Sequence, residues 1–292
     1  MAIPSHPREP QYSSTYFVQG QQSEEFQRLV DQDRFITASM GGVLAEQTDL
    51  SAFRRVLDIA SGPGSWAIEA AQTYPEMSLV GIDIDPRVVE FANARAAAQQ
   101  VDGRVVFQTM DALQALRFPD DSFDLVNMRF GMGFLRTWEW PRVLIELLRV
   151  VRPGGIVRIT DGEVVSESSS PALLRFFEMF LCALFRSGHF FTQEGTGIIS
   201  HLVPMLGQRG YHQVQTRAYI LHYHVGTAEG QAYIENMLRI FQTFRPFLQK
   251  WGCLSKDYDA ICQQAIQEMQ QPDFFATWHL LTAWGAKPEA EV

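Results

Sequence analysis

The chain is poor in the residues that would staple, anchor or coat it. Its 292 residues include three cysteines, Cys182, Cys253 and Cys262. They lack Cys-x-x-Cys spacing, and their odd number argues against a disulfide framework. A reducing, cytoplasmic setting is the expectation. No run reaches the ~18 consecutive apolar residues of a membrane span, and Met1 to Arg8 lacks the apolar centre of a signal peptide, so the chain is expected to be neither inserted nor secreted. Lys and Arg number 24 against 33 Asp and Glu, a formal charge of -9. Nucleic-acid binding needs clustered basic residues, and the only adjacent pair is Arg54-Arg55, which reads as the solvated start of a strand; no nucleic-acid partner is expected. His222 and His224 alternate on one strand face with no Cys or carboxylate constellation beside them, so no metal site is assigned. There is no internal repeat or low-complexity tract. Apolar residues are plentiful: 46% of the chain is hydrophobic and 21 residues are Phe, enough for one large core and an accessory element.

The most informative stretch is Val56-Leu57-Asp58-Ile59-Ala60-Ser61-Gly62-Pro63-Gly64-Ser65-Trp66-Ala67. An apolar run ending in an acid and breaking into spaced glycines reads as strand, tight turn, helix. Gly62 and Gly64 allow a sharp bend and close approach to a ligand, and the helix that follows offers its polar N-terminus. Taken alone, Gly62, Gly64 and Ala67 also satisfy the dinucleotide fingerprint Gly-x-Gly-x-x-Ala, so a nicotinamide oxidoreductase is an alternative. Asp58 at the strand end favours a different ligand, because it would repel a pyrophosphate and attract a cationic amino-acid moiety. A second run, Ser78 to Ile82, ends at Asp83, about 20 residues beyond the glycines, where an acid accepts hydrogen bonds from ribose hydroxyls. A third, Arg104 to Gln108, leads to Met110-Asp111-Ala112, and a fourth ends near Met128-Arg129-Phe130. Asp58 also suits a helix cap, and Asp83 before Asp85-Pro86 an Asx turn or N-cap. Asp120, Asp121 and Asp124 read as a solvated turn and a strand start.

With Phe118-Pro119-Asp120-Asp121-Ser122-Phe123-Asp124 and Leu148-Arg149-Val150-Val151-Arg152-Pro153-Gly154-Gly155, the chain resembles the class I S-adenosylmethionine-dependent methyltransferases of the small-molecule group over roughly residues 50 to 165. The resemblance implies a Rossmann-like, doubly wound, seven-stranded, mostly parallel α/β sheet with a helical cover and helical insertions. It implies S-adenosylmethionine as cofactor, with Asp58 and the turn through Ala60, Ser61, Gly62 and Gly64 near its methionine portion. Asp83 and the neighbouring Ile84 fall at its ribose, Asp111 and Ala112 at its adenine, and Met128, Arg129 and Phe130 beneath its sulfonium. Ala60 departs from the family, which usually has a glycine there; a methyl group is tolerated if φ is negative.

The periphery divides the chain into a helical cover at 1–48, a cofactor-binding core at 49–165, and helical insertions with the last two strands at 166–292. Residues 23 to 46 place Phe26, Leu29, Val30, Ile36 and Met40 at helical spacings, behind a leader, Tyr12 to Phe17, whose rings, Tyr16 among them, can pack on the cofactor. Helices are expected over 171–186 and about Gly195 to Gln208, strands over Tyr211 to His224 and Phe274 to Trp284, and further helices between those strands. The 171–186 helix is apolar on most faces and must be covered. Such an insertion forms an acceptor pocket, a lid, or a subunit interface that would make a homodimer. The amount of apolar wall favours a hydrophobic acceptor, natural-product, quinone-like or isoprenoid-like, methylated on oxygen or carbon; a non-catalytic cofactor-binding or dimerisation module is the other alternative. Glu163 and Asp161, just past the fifth strand, lead as catalytic acids or bases, with His189 a third catalytic candidate if its loop is a hinge or pocket rim and an exposed loop histidine otherwise.

Overall fold

The computed structural model of the chain describes residues 22–164, 167–192 and 197–289. Five strands, β1 (Arg55–Ile59), β2 (Ser78–Asp83), β3 (Val105–Thr109), β4 (Phe123–Arg129) and β5 (Val151–Gly162), pair in parallel in the order β3-β2-β1-β4-β5. After β6 (Glu167–Ser168) and β7 (His212–His224), the strand β8 (Phe275–Ala286) inserts antiparallel between β5 and β7. The described sheet therefore has eight strands where seven were expected. The extra one is the two-residue β6, which pairs with β8 at Ala276 and Thr277, beyond the end of β5.

The parallel strands are buried on both faces, as helical crossovers require. On β1, Val56 joins a core packed by α2 (Ser65–Thr73) and α3 (Pro86–Ala98), while Leu57 and Ile59 join the core on the opposite face. That second core is built by α4 (Trp140–Val150), α5 (Pro171–Arg186) and α6 (Ile199–Gln208), and it continues beneath α7 (Ala228–Thr243), α8 (Arg245–Lys250) and α9 (Tyr258–Glu268). The apolar α5 is covered as its composition demanded: Leu173, Phe176, Phe180 and Leu184 are buried. Its start is set by Ser170, whose Oγ accepts from Leu173 N at 3.1 Å and donates to Glu268 Oε2 of α9 at 2.6 Å.

Three peripheral expectations change. The cover helix α1 spans Gln22–Ser39 and stops short of residue 46, because Gly41 (φ 87°) and Gly42 (φ 119°) turn left-handed and cap the last carbonyls at Ala38 and Thr37. Periodicity alone carried the helix onward, since Met40, Val43 and Leu44 are buried in the turns that follow. The cysteines do pair: Cys182 on α5 is disulfide-bonded to Cys253, 71 residues away, and the buried Cys262 is the odd thiol left over. Asp124 lies at a strand start as read, but it is not merely solvated: it accepts from the backbone of Arg54 and Arg55 at 2.8 and 2.7 Å and from Arg152 Nε at 2.5 Å, pinning the starts of β1 and β5 to β4.

Candidate cofactor and acceptor site

The carboxyl ends of β1, β2, β4 and β5 open into a cavity of about 840 Å³ roofed by α1, α5 and α7. Asp58 ends in this cavity with 3% of its surface exposed, and Asn127 Nδ2 donates to its Oδ1 at 2.8 Å. Burial pushes its pKa up to about 7, against the pull of Asn127 and Arg158. The turn after β1 is locked to β2: Ser61 N donates to Ile82 O at 2.8 Å, and Gly62 N donates to Asp83 Oδ2 at 3.0 Å. Asp85 N donates to the other Asp83 oxygen at 3.1 Å, so both oxygens are oriented while each keeps a lone pair for a ligand. Burial raises the Asp83 pKa as well. The helix-capping role open to Asp83 belongs to Asp85, whose Oδ1 accepts from Arg87 N at the start of α3.

The glycines divide their tasks. A Cβ at Gly62 would meet nothing within 4 Å, so the space above that residue is open to the cavity. Gly64 lies outside the cavity lining; its φ of 78° and the Phe107 ring 2.4 Å from where a Cβ would stand both demand glycine. Ala60 contradicts its expectation: φ is +51°, left-handed and not negative, and the residue lines the cavity. An L-residue there costs roughly 1–2 kcal/mol, which the tie between the turn and β2 must offset.

Ser61, Ile84, Asp111, Ala112, Arg129 and Phe130 also line the cavity. Asp111 Oδ1 accepts from Leu113 N at 2.8 Å, which presents the Ala112 backbone. Met128 points instead into the core with no exposure, as alternation along β4 requires once Arg129 faces the cavity. Phe130 has φ +55° and stacks on Trp278 of β8 at 5.6 Å. Tyr16 lies outside the described residues.

The acids after β5 part company. Glu163 lines the cavity; its side chain is 45% exposed, and its carbonyl accepts from Trp278 Nε1 at 2.5 Å. Asp161 is fully buried and does not line the cavity: its Oδ2 accepts from Met132 N at 3.0 Å and its Oδ1 from Gly162 N at 2.9 Å. It holds the 3-10 turn Gly131–Gly133 against β5, and burial pushes its pKa up to about 7. His189 is likewise away from the cavity, 3% exposed with Nδ1 2.8 Å from Ser187 Oγ, and burial pushes its pKa down to about 4. Among the described residues no cluster of three or more His, Cys, Asp or Glu is arranged for a metal, and no helix is long and apolar enough to cross a membrane.

Several cavity residues were missed from the sequence. Asp33 of α1 is ion-paired with Arg129, and Thr37 Oγ1 accepts from the same guanidinium at 3.1 Å. Asn236 of α7 accepts from Arg28 Nη1 at 2.9 Å, joining the cover to the insertion. Trp278 had no local signal, since its role exists only where β8 crosses beside Phe130. The far wall is apolar: Phe177 and Phe180 from α5, Met237 and Ile240 from α7, and Phe244 between α7 and α8.

A parallel sheet with acids at three consecutive strand ends and a glycine turn between them defines a nucleoside-cofactor domain. Residues 56–155 match the family described as methyltransferase domain. The chain is similar to a demethylmenaquinone methyltransferase from Deinococcus radiodurans, 41% identical over 102 residues, which is 35% of this chain and 40% of that protein. It is similar to a 27-O-demethylrifamycin SV methyltransferase from Amycolatopsis mediterranei, 40% identical over 118 residues, covering 40% and 42% of the two chains. The matches thus span less than half the length of these relatives. The crystal structure of the YcgJ protein from Bacillus subtilis shares the fold, with TM-score 0.55 at 21% identity over 87% of this chain and 99% of that one. Residues 56–155 of the chain thus carry a methyltransferase domain. The residues present fit S-adenosylmethionine, the cofactor that the resemblance implies: the space over Gly62 is open, and the two oriented Asp83 oxygens each keep a lone pair for ribose hydroxyls.

Proposed function

We propose that the chain transfers a methyl group from S-adenosylmethionine to a hydrophobic small molecule. The observation that carries this reading is the continuity of one cavity from the acids at Asp58, Asp83 and Asp111 to the apolar wall of Phe177, Phe180, Met237, Ile240 and Phe244. A polar or highly charged acceptor would lose hydration against that wall with nothing to replace it. Two relatives are named for a demethylmenaquinone and for 27-O-demethylrifamycin SV, a quinone and a natural product.

The bound cofactor would supply an electrophilic methyl on a sulfonium. Asp58 would meet its cationic amino-acid end, Asp83 its ribose hydroxyls, and the Asp111-Ala112 turn its adenine. Phe130, held by Trp278, and the turn at Met132-Gly133, held by Asp161, would set the floor on which the acceptor lies. Placing a nucleophile ~3–3.5 Å from the methyl in line with the breaking bond supplies much of the rate. Glu163, on the same wall, is the residue assigned to take a proton from an acceptor hydroxyl. Asp161 and His189 carry no step, because neither reaches the cavity. The test is incubation with methyl-labelled S-adenosylmethionine and a panel of apolar phenols, quinols and isoprenoids. Label in an apolar product is the expected result; label only in polar or macromolecular acceptors would refute the reading.

A further inference from the structure

Below the cofactor end of the cavity runs a chain of buried polar groups that none of the steps above uses. Arg158 on β5 is 1% exposed, and its Nε donates to Glu46 Oε1 at 2.6 Å while Nη2 lies 3.3 Å from Glu46 Oε2. Its Nη1 donates to Asn127 Oδ1 at 2.7 Å, and Asn127 Nδ2 donates to Asp58 Oδ1 at 2.8 Å. Tyr219 Oη stands 3.4 Å from Glu46 Oε2 and closes the far end. A guanidinium can only donate, so Arg158 dictates that the Asn127 carbonyl faces it and that the amide N–H₂ faces Asp58. Burying an arginine this completely is costly, and a pair with Glu46 alone would leave Nη1 unsatisfied. The chain joins a wall of the cavity to the turns that follow the cover helix, where Glu46 sits.

We propose that Arg158, acting through Asn127, is a positioning residue that keeps the Asp58 carboxylate ionised and aimed at the cationic amino-acid end of the cofactor, with Glu46 setting how much of the guanidinium charge Asp58 feels. This rests on the methyltransferase reading of the cavity. The other charge acting on Asp58 is Asp83 at the end of β2, which opposes ionisation; Arg129 at the end of β4 lines the same cavity and is paired with Asp33 of α1. With its pKa near 7, Asp58 is poised where a small change in this chain of groups alters its charge at neutral pH. Glu46 is held below the usual carboxylate range: burial alone would raise it, and Arg158 outweighs that. It therefore stays ionised while Asp58 titrates.

The signs follow directly. Protonated Asp58 offers no charge to an ammonium group, so cofactor affinity falls as pH drops below the Asp58 pKa, approaching tenfold per unit. Removing the Asn127 donor raises that pKa; neutralising Glu46 lowers it. The experiment is calorimetric titration of the full chain with S-adenosylhomocysteine at a series of pH values around neutrality. Asn127→Leu should move the midpoint of the affinity profile up by about one unit, and Glu46→Gln should move it down by a few tenths. A purely structural role would lower the melting temperature, and the affinity at every pH, without moving the midpoint. Unmoved midpoints, or shifts in the same direction, overturn the proposal. If Asn127→Leu fails to fold, Glu46→Gln decides alone, since its amide oxygen still accepts from Arg158 Nε. A wild-type chain that binds no S-adenosylhomocysteine at any pH would overturn the methyltransferase reading itself.

Discussion

Asp83→Ala is the substitution whose outcome the geometry constrains most tightly. Both carboxylate oxygens are already oriented by backbone donors, Gly62 N at 3.0 Å and Asp85 N at 3.1 Å, so the acid reaches the cavity without searching rotamers. Hydrogen bonds to a charged acceptor contribute roughly 1.5–3 kcal/mol each, and water entering the vacated space recovers part of that. The expected loss of cofactor affinity is about 1–3 kcal/mol, roughly five- to 150-fold in Kd. The same change frees the Gly62 N–H and loosens the turn, so affinity alone would mix two causes. Titrating wild type and variant with S-adenosylhomocysteine and with its ribose-deoxygenated analogue separates them in a cycle. If Asp83 binds the ribose, the variant loses little further affinity when the hydroxyls are absent. A variant that is folded by circular dichroism and keeps the wild-type Kd would refute the assignment, and one equally weakened toward both ligands would assign the loss to the turn.

Glu163→Gln should leave S-adenosylhomocysteine affinity intact and lower turnover by roughly 10²-fold or more once an acceptor is in hand, since general bases contribute about 10²–10⁴; full turnover would leave positioning alone as the account. Cys182→Ser should lower stability by up to about 4 kcal/mol, the chain-entropy value for a loop of this length, and dithiothreitol should lower the melting temperature of the wild type but not of the variant; titration of the denatured, unreduced wild type should find one thiol, Cys262. His189 is neutral when folded, its pKa near 4 lying below the unfolded value of about 6.5, so the unfolded chain binds the extra proton between those limits. The His189 contribution is therefore intact above about 6.5 and falls by up to about 3 kcal/mol as pH drops to 4, against the opposite trend of Asp58 and Asp161, whose raised pKa values favour the folded state on acidification; the difference between wild type and His189→Asn in denaturant titrations at stepped pH should isolate it.

What could be read from the sequence was what is local along the chain. The strand ending at Asp58, the glycine turn, the acid at Asp83 and the turn at Asp111 each sit within a few residues of the element that defines them, so strand alternation and turn chemistry reveal them. Helix α5 was readable to its first and last residue because Ser170-Pro171 starts it and its apolar faces leave no other option. The conformation of Ala60 was not readable: its φ is imposed by the bonds that Ser61 and Gly62 make to β2, about twenty residues further on. Nor was the division between Glu163 and Asp161: two acids flanking one glycine would share a face by strand alternation, and they part only because β5 ends at Gly162 and the turn Gly131–Gly133 holds the Asp161 carboxylate inside. Arg129 meets Asp33 across 96 residues, Arg158 meets Glu46 across 112, and Cys182 meets Cys253 across 71. Contacts at such separations leave no period or spacing in the chain, so only the packed sheet and its roof decide them.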